Sequence, residues 1–327
     1  MRINMATLEA VRCSKPITSA RERSFEKTRN RIKHSWQLYL MLLIPLAWLL
    51  IFQYWPMYGA QIAFRNYMPG KGIWDSPWVG LDNFITFFKS YMFVRVVRNT
   101  LWVSIYSLLV GFPIPIMFAL AINQLRDGLF KRTLQMVSYA PYFISTVVVV
   151  GIIIQFLDLR RGPINLLLQA LGMPPVNFMG SPEWFSSIYV WSGVWQYAGF
   201  NAIIYLAVLS TVDPTLHEAA VMDGANRLQR IWYVDLPTIL PTAMTLLILN
   251  MGQLMNVGFE KAFLLQNTLN QTTSEVISTY VYKVGLAAGI ASYSYGAAIG
   301  FFNSFVGLIL IVIANQVSRK VTGTRLW

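Results

Sequence analysis

The sequence predicts an all-α polytopic membrane protein with six transmembrane helices, and three observations carry that reading. Only 12% of the 327 residues are charged, 55% are hydrophobic, and the mean hydropathy is +0.49. Globular proteins carry about twice that charged share, so a soluble enzyme or a cytosolic binding module is excluded. Six uncharged, apolar-rich stretches of at least 20 residues occur, at 35–64, 99–125, 133–157, 184–212, 236–259 and 284–318. A hydrocarbon core about 30 Å thick needs about 20 helical residues, so each stretch is long enough to cross. The basic residues are also lopsided, nine of the 26 Lys and Arg falling before residue 36.

Taken in order, residues 1–35 read as a basic cytoplasmic tail, with three acids set against its nine bases. A cluster confined to one tail suits anionic membrane lipid, and it is not the footprint of a nucleic-acid-binding domain. Cys13 is the one cysteine, so no internal disulfide is possible, and with only His34 and His217 no histidine metal cluster is expected. No apolar stretch of signal-peptide type precedes residue 36. Helices are placed at about 38–58, 100–123, 136–157, 184–210, 238–258 and 294–317, each within one charge-free stretch. Gly111, Pro113 and Pro115 would loosen the second span and Pro141 would bend the third. The uncharged run 162–182 contains Gly162, Pro163, Gly172, Pro174, Pro175, Gly180 and Pro182. Lipid could not satisfy the backbone groups freed there, so this run reads as a short interfacial helix near 164–171 followed by loop. The membrane-spanning body thus covers 36–320, with a short cytoplasmic end at 321–327.

With six spans, the tail, 124–135, 211–235 and 318–327 share one side and hold seventeen Lys and Arg against nine opposite. The positive-inside rule then puts both termini in the cytoplasm.

The cytoplasmic loop 213–237 is the most informative segment. Asp213 before Pro214 reads as an N-cap with proline at the first helical position. A short helix through Glu218, Ala219 and Ala220 would end at Asp223-Gly224, where glycine tolerates positive φ. A second short helix, 225–233, would run until Pro237 stops it and leads into the membrane.

At these residues the chain resembles the permeases of binding-protein-dependent ABC importers. Glu218-Ala219-Ala220, three residues, Gly224, nine residues and then Val234-Asp235-Leu236-Pro237 match the EAA loop of that family, with Val234 standing for isoleucine. Asp223, Ala225, Gln229 and Pro241 fit its carbohydrate-uptake branch. The segments from Trp55 to Tyr67 and from Gly72 to Phe84 resemble its polysaccharide and oligosaccharide permeases, the alginate importer among them. The resemblance implies a type I importer permease fold in a bacterial inner membrane. It also implies a second, similar permease, two ATP-binding subunits and an extracytoplasmic solute-binding protein. ATP and Mg would be bound by the partner ATPase and no cofactor by this chain. Glu218 would pair with an arginine of the ATPase and Gly224 would permit the bend; Arg227 and Arg230 would either add pairs at the rim or only hydrate the helix.

Other chemistry is absent from the sequence. No Gly-x-x-x-x-Gly-Lys-Ser/Thr phosphate loop, His-Glu-x-x-His or Gly-x-Ser-x-Gly occurs. No charged residue falls inside the spans as placed, which speaks against a secondary carrier or channel working through membrane carboxylates without an ATPase. Two groups are candidates for a carbohydrate path. Trp184, Trp191 and Trp195 share a helical face about 40° wide, suited to the C–H side of pyranose rings; the alternative is an interfacial belt. Asn250, Gln253 and Asn256 would cover an arc of about 120° on the fifth span, able to bond hydroxyls or, instead, neighbouring helices.

Overall fold

The structure, a computed structural model, describes residues 34–287 and 292–322, with side chains described up to 316. The basic tail falls almost wholly outside the described residues, as do the last five positions. The chain divides into two compact units, residues 1–60 and 61–327. In the first, α1 (Trp36–Leu49) continues through a π-helical turn at Leu50–Tyr54 to Trp55–Met57. None of these side chains is buried within the chain, the pattern of a helix that is apolar all round and sits in a bilayer or against a partner.

The second unit holds the remaining spans. After α2 (Asp82–Lys89), α3 (Tyr91–Gly111) leads into α4 (Pro113–Asn123) as one long span broken at Phe112. Next come α5 (Leu129–Tyr139), α6 (Thr146–Phe156), α7 (Pro163–Ala170) and α8 (Phe185–Leu209). α9 (Pro214–Met222), α10 (Arg227–Arg230) and α11 (Leu236–Gly252) follow, then α12 (Phe259–Leu265), α13 (Gln271–Ser274), α14 (Ile277–Tyr282) and α15 (Tyr293–Thr322). No strand is formed among the described residues. Four helices are each long and apolar enough to cross: Trp36–Phe64, Tyr91–Asn123, Arg227–Gly252 and Tyr293–Gln316. Two bent pairs raise the number to six when each pair counts as one span.

Three departures from the sequence reading have physical causes. The third span is not one helix over 136–157; Leu129–Phe143 and Thr146–Phe156 meet at 100°. Pro141 has no N–H to give the preceding turn, Ile144 is extended, and the Ser145 hydroxyl caps α6 by accepting from Val148 N–H. The fifth span begins at Arg227 and ends at Gly252, not at 238–258, because Pro237 does not stop the helix. A π-helical turn at Ile231–Asp235 widens the backbone just where the proline ring would strike the carbonyl one turn back. The spans therefore do contain charged residues: Arg95 and Arg98 open α3, and Asp235 lies inside the fifth. Charge gaps mark the apolar middle of a span, while its helix runs on past them.

The body packs around α8, which lies against α3, α4 and α11, and α11 lies against α15. One core joins Ala119, Leu120, Ala202, Tyr205, Ile239 and Ala243 from α4, α8 and α11. A second joins Val103, Val150, Phe185, Val257 and Leu265 beside the opening described below. Gly199 sets the approach of α8 to α5: a Cβ there would collide with the backbone carbonyl of Ser138, whereas one at Gly300 would meet open space. Gly199→Ala is therefore expected to lower the thermal midpoint of the detergent-purified protein by the equivalent of about 1–3 kcal/mol. Gly300→Ala, free of any clash and better suited to a helix, should leave the midpoint level or raise it.

Candidate functional site

Two features stand out, a helical knob and a polar cavity, joined by one helix. The knob begins at α9, whose N-cap carboxylate, Asp213 Oδ1, accepts from Thr215 N–H at 2.9 Å. That backbone bond holds the Asp213 carboxyl below the usual carboxylate range. α9 ends in a Schellman turn: Ala225 N–H donates to Ala220 O at 2.9 Å and Gly224 N–H to Val221 O at 3.0 Å. Gly224 sits at φ +80°, where a side chain would be strained. Asn226 then opens α10 in a reciprocal capping box with Gln229, at 2.9 and 2.8 Å. The two helices and their elbow agree with the sequence reading, except that α10 merges with the span.

Glu218 and Ala219 are exposed on α9, and Glu218 has no partner among the described residues. Around it stand Leu216, Val221, Met222, Leu228, Trp232 and Tyr233, all exposed, Met222 at 87%. So much apolar surface rimmed by charge is characteristic of an interaction face. Arg227 and Asp223 are exposed on the same knob, Pro237 is exposed on the helix above it, and Arg230 is half-buried.

The knob is fastened by a group that the motif does not single out. Asp235 is fully buried, and its Oδ2 accepts from Gln124 Nε2, at the end of α4, at 3.0 Å. His217 Nε2, on α9, stands 3.2 Å from Oδ1 in ion-pair contact off the line of a hydrogen bond. Arg230 adds positive potential at the same carboxylate. One side chain thus ties α9 and the fifth span to the second. Its signal in the sequence is an acid in an otherwise apolar run just before Leu236-Pro237.

The cavity, of about 520 Å³, lies between α3, α8 and the end of α11. Asn250, Gln253 and Asn256 all line it, but not as a helical arc: Gln253 caps α11 and Asn256 lies in the non-helical segment beyond, its Nδ2 donating to Gln253 Oε1 at 3.2 Å. Trp184, Trp191 and Trp195 do not line it. Trp191 Nε1 donates to Tyr106 Oη at 3.0 Å, and Trp184 packs edge-on against Phe178. The side of α8 turned to the cavity carries Tyr189, Tyr197 and Asn201; Tyr189 is about 200° round the helix from Trp191. Lys261 and Glu260 add charged groups to a polar lining that also includes Ser104, Ser107 and Thr146, and burial brings the Lys261 ammonium down to about 8. Sequence reasoning found the amides and missed Tyr189, Tyr197, Asn201 and Lys261.

Asp235→Ala would leave Gln124 without its acceptor and His217 without the carboxylate it faces, at a cost of about 1.5–3 kcal/mol for the buried bond to a charged group. Faster amide exchange across 214–230 is expected, with Asp235→Asn intermediate; unchanged exchange would show that the knob is held elsewhere.

Among known proteins, the family model described as "Binding-protein-dependent transport system inner membrane component" matches residues 111–323. Protein LplB of Bacillus subtilis is 42% identical over 289 residues, 88% of this chain and 90% of that protein. The polygalacturonan/rhamnogalacturonan transport system permease protein YteP of the same organism is 42% identical over 283 residues, 86% and 88%. In the crystal structure of a bacterial ABC transporter that imports the acidic polysaccharide alginate, one chain is 41% identical with a TM-score of 0.83, covering 90% of this chain and 99% of that one. The same fit, at 41% identity and 0.83, is found to the alginate transporter in complex with an alginate pentasaccharide-bound periplasmic protein.

Proposed function

The chain belongs to the family of binding-protein-dependent transport system inner membrane components, and from that premise we propose that it forms half of the pathway for an acidic oligosaccharide. It is a membrane-embedded permease subunit of a carbohydrate ABC importer, and ATP hydrolysis belongs to a separate partner subunit. The finer assignments are proposals. They are a second permease similar to this chain, two ATP-binding subunits that bind ATP and Mg, delivery by an extracytoplasmic solute-binding protein, and both termini in the cytoplasm. The acidic character of the cargo is proposed from the polygalacturonan and alginate systems that the chain resembles.

One observation carries the mechanism. The fifth span is a single helix of 26 residues, Arg227–Gly252, beginning in the knob and ending at the cavity. At 1.5 Å per residue it is about 39 Å long, enough to cross the hydrocarbon. A packed helix moves as a body, so a displacement of the knob by the ATPase reaches Asn250 and Gln253 without any catalytic group in this chain. Met222, Leu228 and Trp232 would provide the apolar contact of the docking face. Glu218 would provide a charge-assisted bond whose loss, once desolvated, is costly.

Glu218→Lys and Gly224→Trp are expected to insert normally yet lower uptake, or substrate-stimulated ATPase activity, about tenfold or more, a change equivalent to about 1.4 kcal/mol. Unchanged coupling in correctly inserted variants would remove the knob from the mechanism. Replacing both Gln253 and Asn256 by Leu should impair transport while the subunits stay assembled. Hydroxyls that shed water need substitute partners, at about 1–3 kcal/mol for each one left unpaired. Full uptake per assembled complex would refute the pore assignment of these amides.

A further inference from the structure

Three ionisable side chains, Asp235, Glu275 and Lys261, are among the buried groups of the described residues. Two of them face a basic side chain: Asp235 has His217 at 3.2 Å, and Glu275 has Lys283 at 3.2 Å. Lys261 is 7% exposed and has no carboxylate within ion-pair distance among the described residues. Its Nζ donates to the backbone carbonyl of Tyr189 at 2.9 Å and lies 4.8 Å from the centre of the Tyr189 ring. An ammonium has three N–H donors, so these contacts do not exhaust it. A buried charge without a counter-charge is expensive, and a fold that only needed to join α12 to α8 could do so with an apolar side chain.

The surroundings keep space for this group. A Cβ at Gly193, on the cavity wall, would stand 3.3 Å from Nζ, so glycine there leaves the ammonium room. Lys261 shares the cavity with Asn250, whose amide has no partner among the described residues, and with Asn201, groups that bond hydroxyls and carry no charge to compete for it. Glu260 also lines the cavity but is exposed, where solvent and salt screen its charge. The field inside is therefore set by Lys261, and its depressed affinity for a proton is the mark of stripped solvation that a bound anion would relieve.

We propose that Lys261 is the carboxylate-recognising residue of the cavity: it supplies the counter-charge for a uronate group of the passing saccharide, while the surrounding amides take its hydroxyls. This rests on the reading of the cavity as the carbohydrate path, and adds which residue selects for acid. A carboxylate entering the site exchanges water for a charge-assisted bond to a group already desolvated, so the gain is large for an acidic sugar and absent for a neutral one.

The test uses the assembled importer in detergent, titrated with pentagalacturonate and with the same pentasaccharide reduced at its carboxyl groups. The wild type should bind the acid at least tenfold more tightly than the reduced form. Lys261→Met should bind the two alike with an unchanged thermal midpoint, and Lys261→Arg should keep most of the preference. If the wild type prefers the acid and Lys261→Met retains that preference, the assignment falls while the cavity stands. A lowered midpoint with equal loss for both saccharides would make Lys261 a structural strut and overturn it as well. If the wild type binds neither saccharide, the reading of the cavity falls and takes the assignment with it.

Discussion

Hydrocarbon offers no partner to a peptide N–H or C=O, so wherever this chain leaves the helix inside its body a side chain from elsewhere has to meet the freed group. At the bend of the third span, Ile144 O is met by Gln196 Nε2 of α8 at 3.0 Å. At the start of α14, the Ile277 N–H is met by Thr100 Oγ1 of α3 at 2.9 Å. Asn99 Nδ2 donates to Thr272 O and Glu275 O at 2.9 and 3.0 Å. The segment between α6 and α8 is held by the fully buried Asn165, which donates to Asp158 O and Val176 O and accepts from Val176 N–H. Asn267 and Asn270 both donate to Met179 O. Each polar side chain does the work that water does for a soluble loop, and the spans they join can be irregular only because of them.

This requirement also explains which parts of the fold were legible in the sequence. Charge-free length located every span, because a charge in lipid is costly whatever its neighbours are. Proline rules were less reliable. After Pro141 the helix tightens and breaks at Ile144; at Pro237 a π-helical turn absorbs the ring and the helix runs on. The local chemistry of the two prolines is the same, and what differs is the surroundings. The break at 144 is affordable because Gln196, 52 residues away, stands ready to satisfy it. No local pattern contains that information. The knob was readable for the opposite reason, since Asp213, Gly224, Asn226 and Gln229 all act within six residues of their partners.

The cavity divides along the same line. Asn250, Gln253 and Asn256 drew notice as amides in an apolar run, and they do gather there, although by leaving the helix and not by sharing its face. Trp184, Trp191 and Trp195 lie off the cavity, and a stripe of large rings is equally suited to lipid and to sugar. The cavity instead takes the opposite side of α8, where Tyr189, Gly193 and Tyr197 lie. Nothing local in the sequence marks Lys261, since its burial comes from α12 packing against α6 and α8, which are distant in the chain.

Between knob and cavity, the fifth span is anchored at both ends by close contact. At its lower end Asp235 binds Gln124 and faces His217, so the knob cannot tilt without pulling on the second span. At its upper end Gly252 lies against the sixth span; a Cβ there would come within 2.8 Å of the Ile311 side chain. The helix stops at that contact, and the non-helical segment beyond it carries Asn256, Val257 and Gly258 into the cavity wall. Close-packed surfaces slide or switch as units and do not deform gradually. A push on the knob therefore has two outlets, the second span through Asp235 and the sixth through Gly252. Since α3, in the second span, lines the cavity, the first outlet would change its width. On the proposed mechanism, opening the path would follow from how two spans are fastened to one helix.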